Sequence, residues 1–79
     1  MDEQSIKNII KNSFSNADIQ VEGDGYHYTL RVIMPEFQDK SRMQRQQLIY
    51  RLFAEQITNG SLHALSIKTY TPDEWAQQK

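Results

Sequence analysis

The chemistry open to this chain is narrow, and most of it rests on two imidazoles. Cysteine is absent and histidine occurs twice, at His27 and His63. The polypeptide therefore has no thiolate with which to attack a substrate, complete a zinc site or anchor an iron-sulfur cluster. A neutral imidazole can ligate a metal, yet two of them leave a site half filled, and the other donors would have to come from elsewhere, a binding partner being one source. Two histidines in 79 residues are also an ordinary count, and the plain alternative makes them surface or packing residues. A second group is cationic. Lys40, Arg42, Arg45 and Arg51 could meet phosphates while nearby glutamines read base edges. Acidic Glu36 and Asp39 adjoin, and the same run serves as a solvated helix face. Catalysis finds little support: there is no phosphate-cradling glycine loop, no cysteine nucleophile, and no serine with histidine and carboxylate in an identifiable constellation. A non-enzyme is expected. Trp75 and the tyrosines Tyr26, Tyr28, Tyr50 and Tyr70 are read as core and rim packing rather than as a platform for a nucleobase.

Composition narrows the setting. At 79 residues the chain makes one domain with one modest core, and without cysteine it suits a reducing compartment. No basic start leads into an apolar run, and no window of 18 apolar residues occurs, so neither a signal peptide nor a membrane span is indicated. A cytoplasmic protein, monomeric or weakly dimeric alone and without membrane contact, is the expectation. The net charge of -1 gives no overall field toward phosphate, so any nucleic-acid binding must be local.

The elements that would position these side chains follow from periodicity. Ile6, Ile9, Ile10 and Phe14 fall at helical spacing and predict a first helix over residues 2–15. Residues 18–22 alternate as a half-buried strand, and Gly23-Asp24-Gly25 predicts a tight hairpin. The next strand, 26–34, directs Tyr28, Leu30, Val32 and Met34 to the core and His27, Thr29 and Arg31 away from it. Pro35 ends it; Phe37 pins the polar connection that follows, and Ser41 or Asp39 could cap the next helix. That helix, 43–57, is expected to bury Met43, Ile49, Tyr50, Phe53, Ala54 and Ile57, and Asn59-Gly60 stops it. Residues 62–70 predict a last strand. Thr71-Pro72-Asp73-Glu74 then opens a final helix with a cap, a proline at the first position and a reciprocal capping box.

Strand, helix and strand in the second half form a βαβ unit, for which parallel neighbours and a right-handed crossover are favoured. His27 and His63 then lie near the starts of adjacent strands, about 4.8 Å apart. Strict alternation, however, puts His27 on the outer face and His63 on the side of Leu65 and Ile67. Sharing a ligand requires His63 to precede regular pairing.

At this point the residues resemble a known family. His63-Ala64-Leu65-Ser66-Ile67, leading to Thr69-Tyr70-Thr71-Pro72 and Glu74-Trp75, resembles the C-terminal signature of the BolA-like family. FQDKSRMQRQQLIY, from Phe37 to Tyr50, is similar to its middle segment, and Ser41-Arg42 with Gln46-Gln47 stands closer to the IbaG subgroup than to BolA itself. Gly23-Asp24-Gly25-Tyr26-His27-Tyr28 matches the subgroup's hairpin, so nearly the whole chain, 1–79, reads as one BolA-like domain. Asp39 departs from the usual glycine, and Gln46 from the histidine of BolA proper. The resemblance implies an α+β, two-layer fold similar to a type II KH domain, with a three-stranded mixed sheet in the order α-β-β-α-β-α and a short helical turn in the middle.

It also implies a partner, a monothiol glutaredoxin, with which such proteins share a [2Fe-2S] cluster in iron-sulfur trafficking, iron homeostasis and stress response. Thiolates would come from glutaredoxin and glutathione. His63 matches the family's signature ligand and His27 the ligand of the hairpin, and the isolated chain would bind no cluster. The alternative is a transcriptional regulator binding DNA through the KH-like surface, as BolA itself is described, with Lys40, Arg42 and Arg45 as its contacts. KH domains proper clamp nucleic acid with a GxxG loop; none occurs here, and Gln38-Asp39-Lys40-Ser41 stands near its expected place.

Overall fold

The computed structural model describes residues 1–78. Asp2 turns its carboxylate onto the Ser5 N–H at 2.8 Å and so caps the first helix, α1, over Glu3–Ser13. Ile6 and Ile10, four residues apart on one face, are fully buried, with Ile9 and Phe14 packed beside them. Two strands follow, β1 over Asp18–Gly23 and β2 over His27–Ile33. They pair antiparallel, with Val21 opposite Leu30 and Gly23 opposite Tyr28.

The hairpin needs glycine twice, for different reasons. Gly25 sits at φ +99°, in the left-handed region. At Gly23 a Cβ would strike the His27 carbonyl oxygen and the Tyr28 ring. β2 is the central strand, and Tyr28, Leu30 and Val32, with Met34 just beyond it, supply the middle of the core. The Tyr28 hydroxyl donates to the Met1 carbonyl and ties the chain's start to the sheet.

The crossover begins at a short 3₁₀ turn over Pro35–Phe37, which buries Phe37 completely. Helix α2 then spans Arg42–Tyr50, opened by a capping box: Gln44 N–H donates to Ser41 Oγ, and Ser41 N–H donates to the Gln44 side chain. The single helix expected over 43–57 is instead divided. A 3₁₀ turn over Arg51–Phe53, packed against α1, separates α2 from α3, Ala54–Thr58.

The buried face also differs from the expected one. Ile49 and Phe53 are fully buried, with Leu48 and Leu52 half-buried beside them, whereas Met43, Tyr50, Ala54 and Ile57 lie exposed. The reason is angular. At about 100° per residue, Met43 stands about 120° around the helix from Ile49, so the sequence reading had merged two faces.

β3, Ala64–Tyr70, returns parallel to β2, with His27 opposite Ala64 and Leu30 opposite Ile67. The result is an α+β, two-layer domain on a mixed three-stranded sheet ordered β1-β2-β3. α1 and the crossover cover the face that carries Leu30 and Val32. The element order matches α-β-β-α-β-α with its long helix split, and it is compatible with the type II KH-like arrangement.

The last helix, α4, spans Pro72–Gln77 and carries the expected capping box between Thr71 and Glu74. It lies at a corner of the other face. There the Trp75 ring meets Tyr70 at 5.2 Å, and the Arg31 guanidinium lies 4.3 Å over it.

Candidate functional site

The site of interest lies where the parallel ladder begins. Its first pair is His27 opposite Ala64, and just before it the Ala64 N–H donates to the Tyr26 carbonyl at 3.2 Å. His63 therefore stands beside Tyr26, one step before regular pairing, as sharing a ligand with His27 requires. Both imidazoles are exposed. One strand spacing of about 4.8 Å and one residue of rise of about 3.3 Å put their Cα atoms roughly 6 Å apart.

Each histidine is held from behind by backbone geometry. Asp24 Oδ1 accepts from both the Tyr26 and the His27 N–H, at 2.9 Å each, and the Asp24 N–H donates to the His27 carbonyl at 3.2 Å. The His27 N–H first, and that of Tyr26 next, hold the Asp24 carboxyl below its ordinary pKa. On the other strand, Leu62 is buried and its N–H donates to the Gln56 carbonyl at 3.1 Å. That fixes the chain one residue before His63. Asn59 Oδ1 accepts the Ser61 N–H at 2.9 Å, and Gly60 takes the left-handed turn at φ +82°.

Tyr26, read from sequence as core or rim, is 66% exposed. Its ring lies against that of His63, with centroids 5.5 Å apart and planes at 41°.

Among the described residues no group of three or more His, Cys, Asp or Glu side chains could hold a metal ion. What this rim offers is two imidazole side chains open to solvent. Two histidines can replace two thiolates on one iron of a [2Fe-2S] centre. The remaining ligands must then be thiols, which this chain lacks.

The three cations assigned to nucleic acid have separate situations. Lys40 and Arg42 are exposed. Arg45 donates to both carboxylate oxygens of Glu74, at 2.7 and 3.1 Å, and its Nε donates to the Lys40 carbonyl at 3.0 Å. The guanidinium lies 5.6 Å from the Phe37 ring centroid. Arg45, and after it the Thr71 N–H, bring the Glu74 carboxyl from its ordinary 4.5 to about 2. Arg45 thus joins the start of α2 to the start of α4.

Sequence reading also missed the free edge of β3. Gln46 Nε2 donates to the Ile67 carbonyl and the Tyr50 hydroxyl to the Leu65 carbonyl, at 2.6 Å each. α2 thereby satisfies acceptors that an edge strand would leave open. The available signal was the i, i+4 spacing of two side-chain donors on one helix.

These features can be compared with known proteins. The profile described as BolA-like protein matches residues 3–74, and the chain belongs to the BolA-like family, in its IbaG subgroup. It is 35% identical to the acid stress protein IbaG of Escherichia coli strain K12 over 79 residues, which are 100% of this chain and 94% of that one. It is 36% identical to the DNA-binding transcriptional regulator BolA of Haemophilus influenzae over 56 residues, 71% of this chain and 53% of the relative. Among solved structures, a bolA protein homologue from Coxiella burnetii superimposes with a TM-score of 0.83 at 34% identity, covering 96% of this chain and 97% of that chain. Among the described residues no helix is long and apolar enough to cross a membrane.

Proposed function

We propose that this protein is a BolA/IbaG-like adaptor that docks on a monothiol glutaredoxin and co-ligates a [2Fe-2S] cluster through His63 and His27. One observation carries the reading: an exposed imidazole begins β2 and another immediately precedes the parallel β3, at one rim of the sheet. In this reading each chain supplies what the other lacks. The adaptor offers nitrogen donors, and the glutaredoxin with its glutathione offers sulfur. When bound, the cluster supplies an iron-sulfur redox centre whose potential imidazole ligation raises.

The chain's own residues do the positioning. Asp24 fixes the backbone on which His27 stands, and Leu62 fixes the one that carries His63. Binding and delivery, rather than catalysis, is the activity, serving iron-sulfur trafficking, iron homeostasis and the acid stress named for its Escherichia coli relative.

The test is to titrate cluster-loaded monothiol glutaredoxin with the unmodified chain, His63→Ala or His27→Ala and follow visible circular dichroism. The unmodified chain should change the cluster's spectrum, with the His63 variant failing to do so. Spectra identical for all three chains would count against ligation.

A second reading, DNA-binding regulation, is supported by the printed function of the Haemophilus influenzae relative and by exposed Lys40 and Arg42. It ranks second. Asp39 beside them repels phosphate, and Arg45 is engaged by Glu74. If duplex binding occurs there, Lys40→Ala and Arg42→Ala should each reduce its salt dependence.

A further inference from the structure

We infer that Tyr26 is a positioning residue for His63, holding its imidazole at the rim with the ring edges free to reach a metal. The inference rests on the reading of His63 as a ligand and goes beyond it, because the residue named neither ligates nor belongs to the signature that marked His63. Tyr26 is 66% exposed and stands at the surface of the rim. Its ring meets that of His63: the centroids are 5.5 Å apart and the planes tilted by 41°, within the range of attractive aromatic pairs.

The backbone brings the two residues side by side. The Ala64 N–H donates to the Tyr26 carbonyl, which sets His63 directly across from Tyr26, and Asp24 Oδ1 fixes the Tyr26 N–H from the other side. A metal takes the in-plane lone pair of an imidazole nitrogen, whereas an aromatic neighbour of this kind restrains ring orientation from the side. Restraint matters here because His63 precedes the regular ladder, whose first pair is His27 opposite Ala64. Pre-ordering its side chain removes an ordering cost from complex formation.

The experiment uses two readouts on the full chain with Tyr26→Ala and Tyr26→Phe. The first needs no cluster. In NMR spectra of the free protein, the His63 ring-proton shifts should move in the alanine variant and stay near their original positions in the phenylalanine variant, which keeps the aromatic face. The second is the concentration of chain giving a half-maximal dichroism change with cluster-loaded monothiol glutaredoxin. It should rise about three- to tenfold for Tyr26→Ala and less than about twofold for Tyr26→Phe.

Unmoved His63 resonances in Tyr26→Ala overturn the inference. So does an unchanged half-maximal concentration when His63→Ala abolishes the spectral change, and in that case the ligand reading survives alone. A phenylalanine variant as defective as alanine assigns the effect to the hydroxyl and also overturns it. If His63→Ala alters nothing in the titration, the ligand reading falls and takes Tyr26's role with it.

Discussion

The two ends of β3 use polar residues in opposite ways. At its C-terminal end Arg45, Glu74 and Thr71 satisfy one another, through a two-pronged ion pair and a capping box, and Arg31 lies on Trp75. At its N-terminal end, His63 and His27 are exposed, with the backbone behind them fixed and the Tyr26 ring against that of His63. Charge that is matched inside the chain holds elements together, while donors left open are available to a second molecule. The contrast also explains why a cationic run legible as a nucleic-acid contact splits on inspection: one of its members is part of the corner.

The contrast can be broken from either end. The largest effect is expected from Gly23→Ala, because the added Cβ meets backbone oxygen and a buried ring rather than a flexible side-chain tip. A cost of about 2–3 kcal/mol is expected, read by urea denaturation. The disturbance should fall on the hairpin that carries His27 and spare the Arg45 corner, which NMR shift mapping can check.

Next is Thr71→Ala, which removes a buried N-cap accepting from the Glu74 N–H at 3.1 Å. It should cost about 1 kcal/mol and leave the rim's shifts unchanged.

Arg45→Ala sharpens the comparison through acid. The Glu74 carboxyl is at about 2 in the folded chain against an ordinary 4.5. Its stabilisation is therefore complete above about 4.5 and is lost as pH falls from there through about 2. Without Arg45 this part of the acid limb should flatten, as measured by thermal melts across that window. An acid limb unchanged by the substitution would remove the ion pair from the account.

The smallest effect is expected at Asp39, whose φ of +65° lies in the left-handed region that glycine tolerates best. Asp39→Gly should stabilise by about 0.5 kcal/mol in the same denaturation assay, since relief of strain is partly offset by greater freedom of the unfolded chain.

Much of the fold was legible because its signals are local. The Gly23-Asp24-Gly25 turn, the alternation through β2 and the Thr71-Pro72-Asp73-Glu74 start each specify their own conformation within a few residues, and the parallel return of β3 follows from the crossover. The division of the second helix was not legible. Met43, Tyr50 and Ile57 are apolar at plausible spacing, and only the shared core with Ile6 and Ile10 shows that Ile49 and Phe53 define the buried side.

The site divides along the same line. The placement of His27 and His63 at one rim, with His63 just before the ladder, follows from strand order. The Tyr26 ring against His63 and the Arg45–Glu74 pair, 29 residues apart in sequence, arise from tertiary packing that no short pattern encodes. Asp39 had its own signal. The family's usual glycine there marks a backbone angle, and the observed φ supplies the physical reason.

The most direct measurement is pulsed electron paramagnetic resonance of the reduced cluster. The complex would be assembled from unlabelled monothiol glutaredoxin, glutathione and this chain labelled with 15N only in histidine. Co-ligation predicts 15N couplings of the size of coordinated imidazole, diminished in His63→Ala and again in His27→Ala. A complex that forms with its cluster intact and shows no coupling to labelled nitrogen would contradict the proposed ligation.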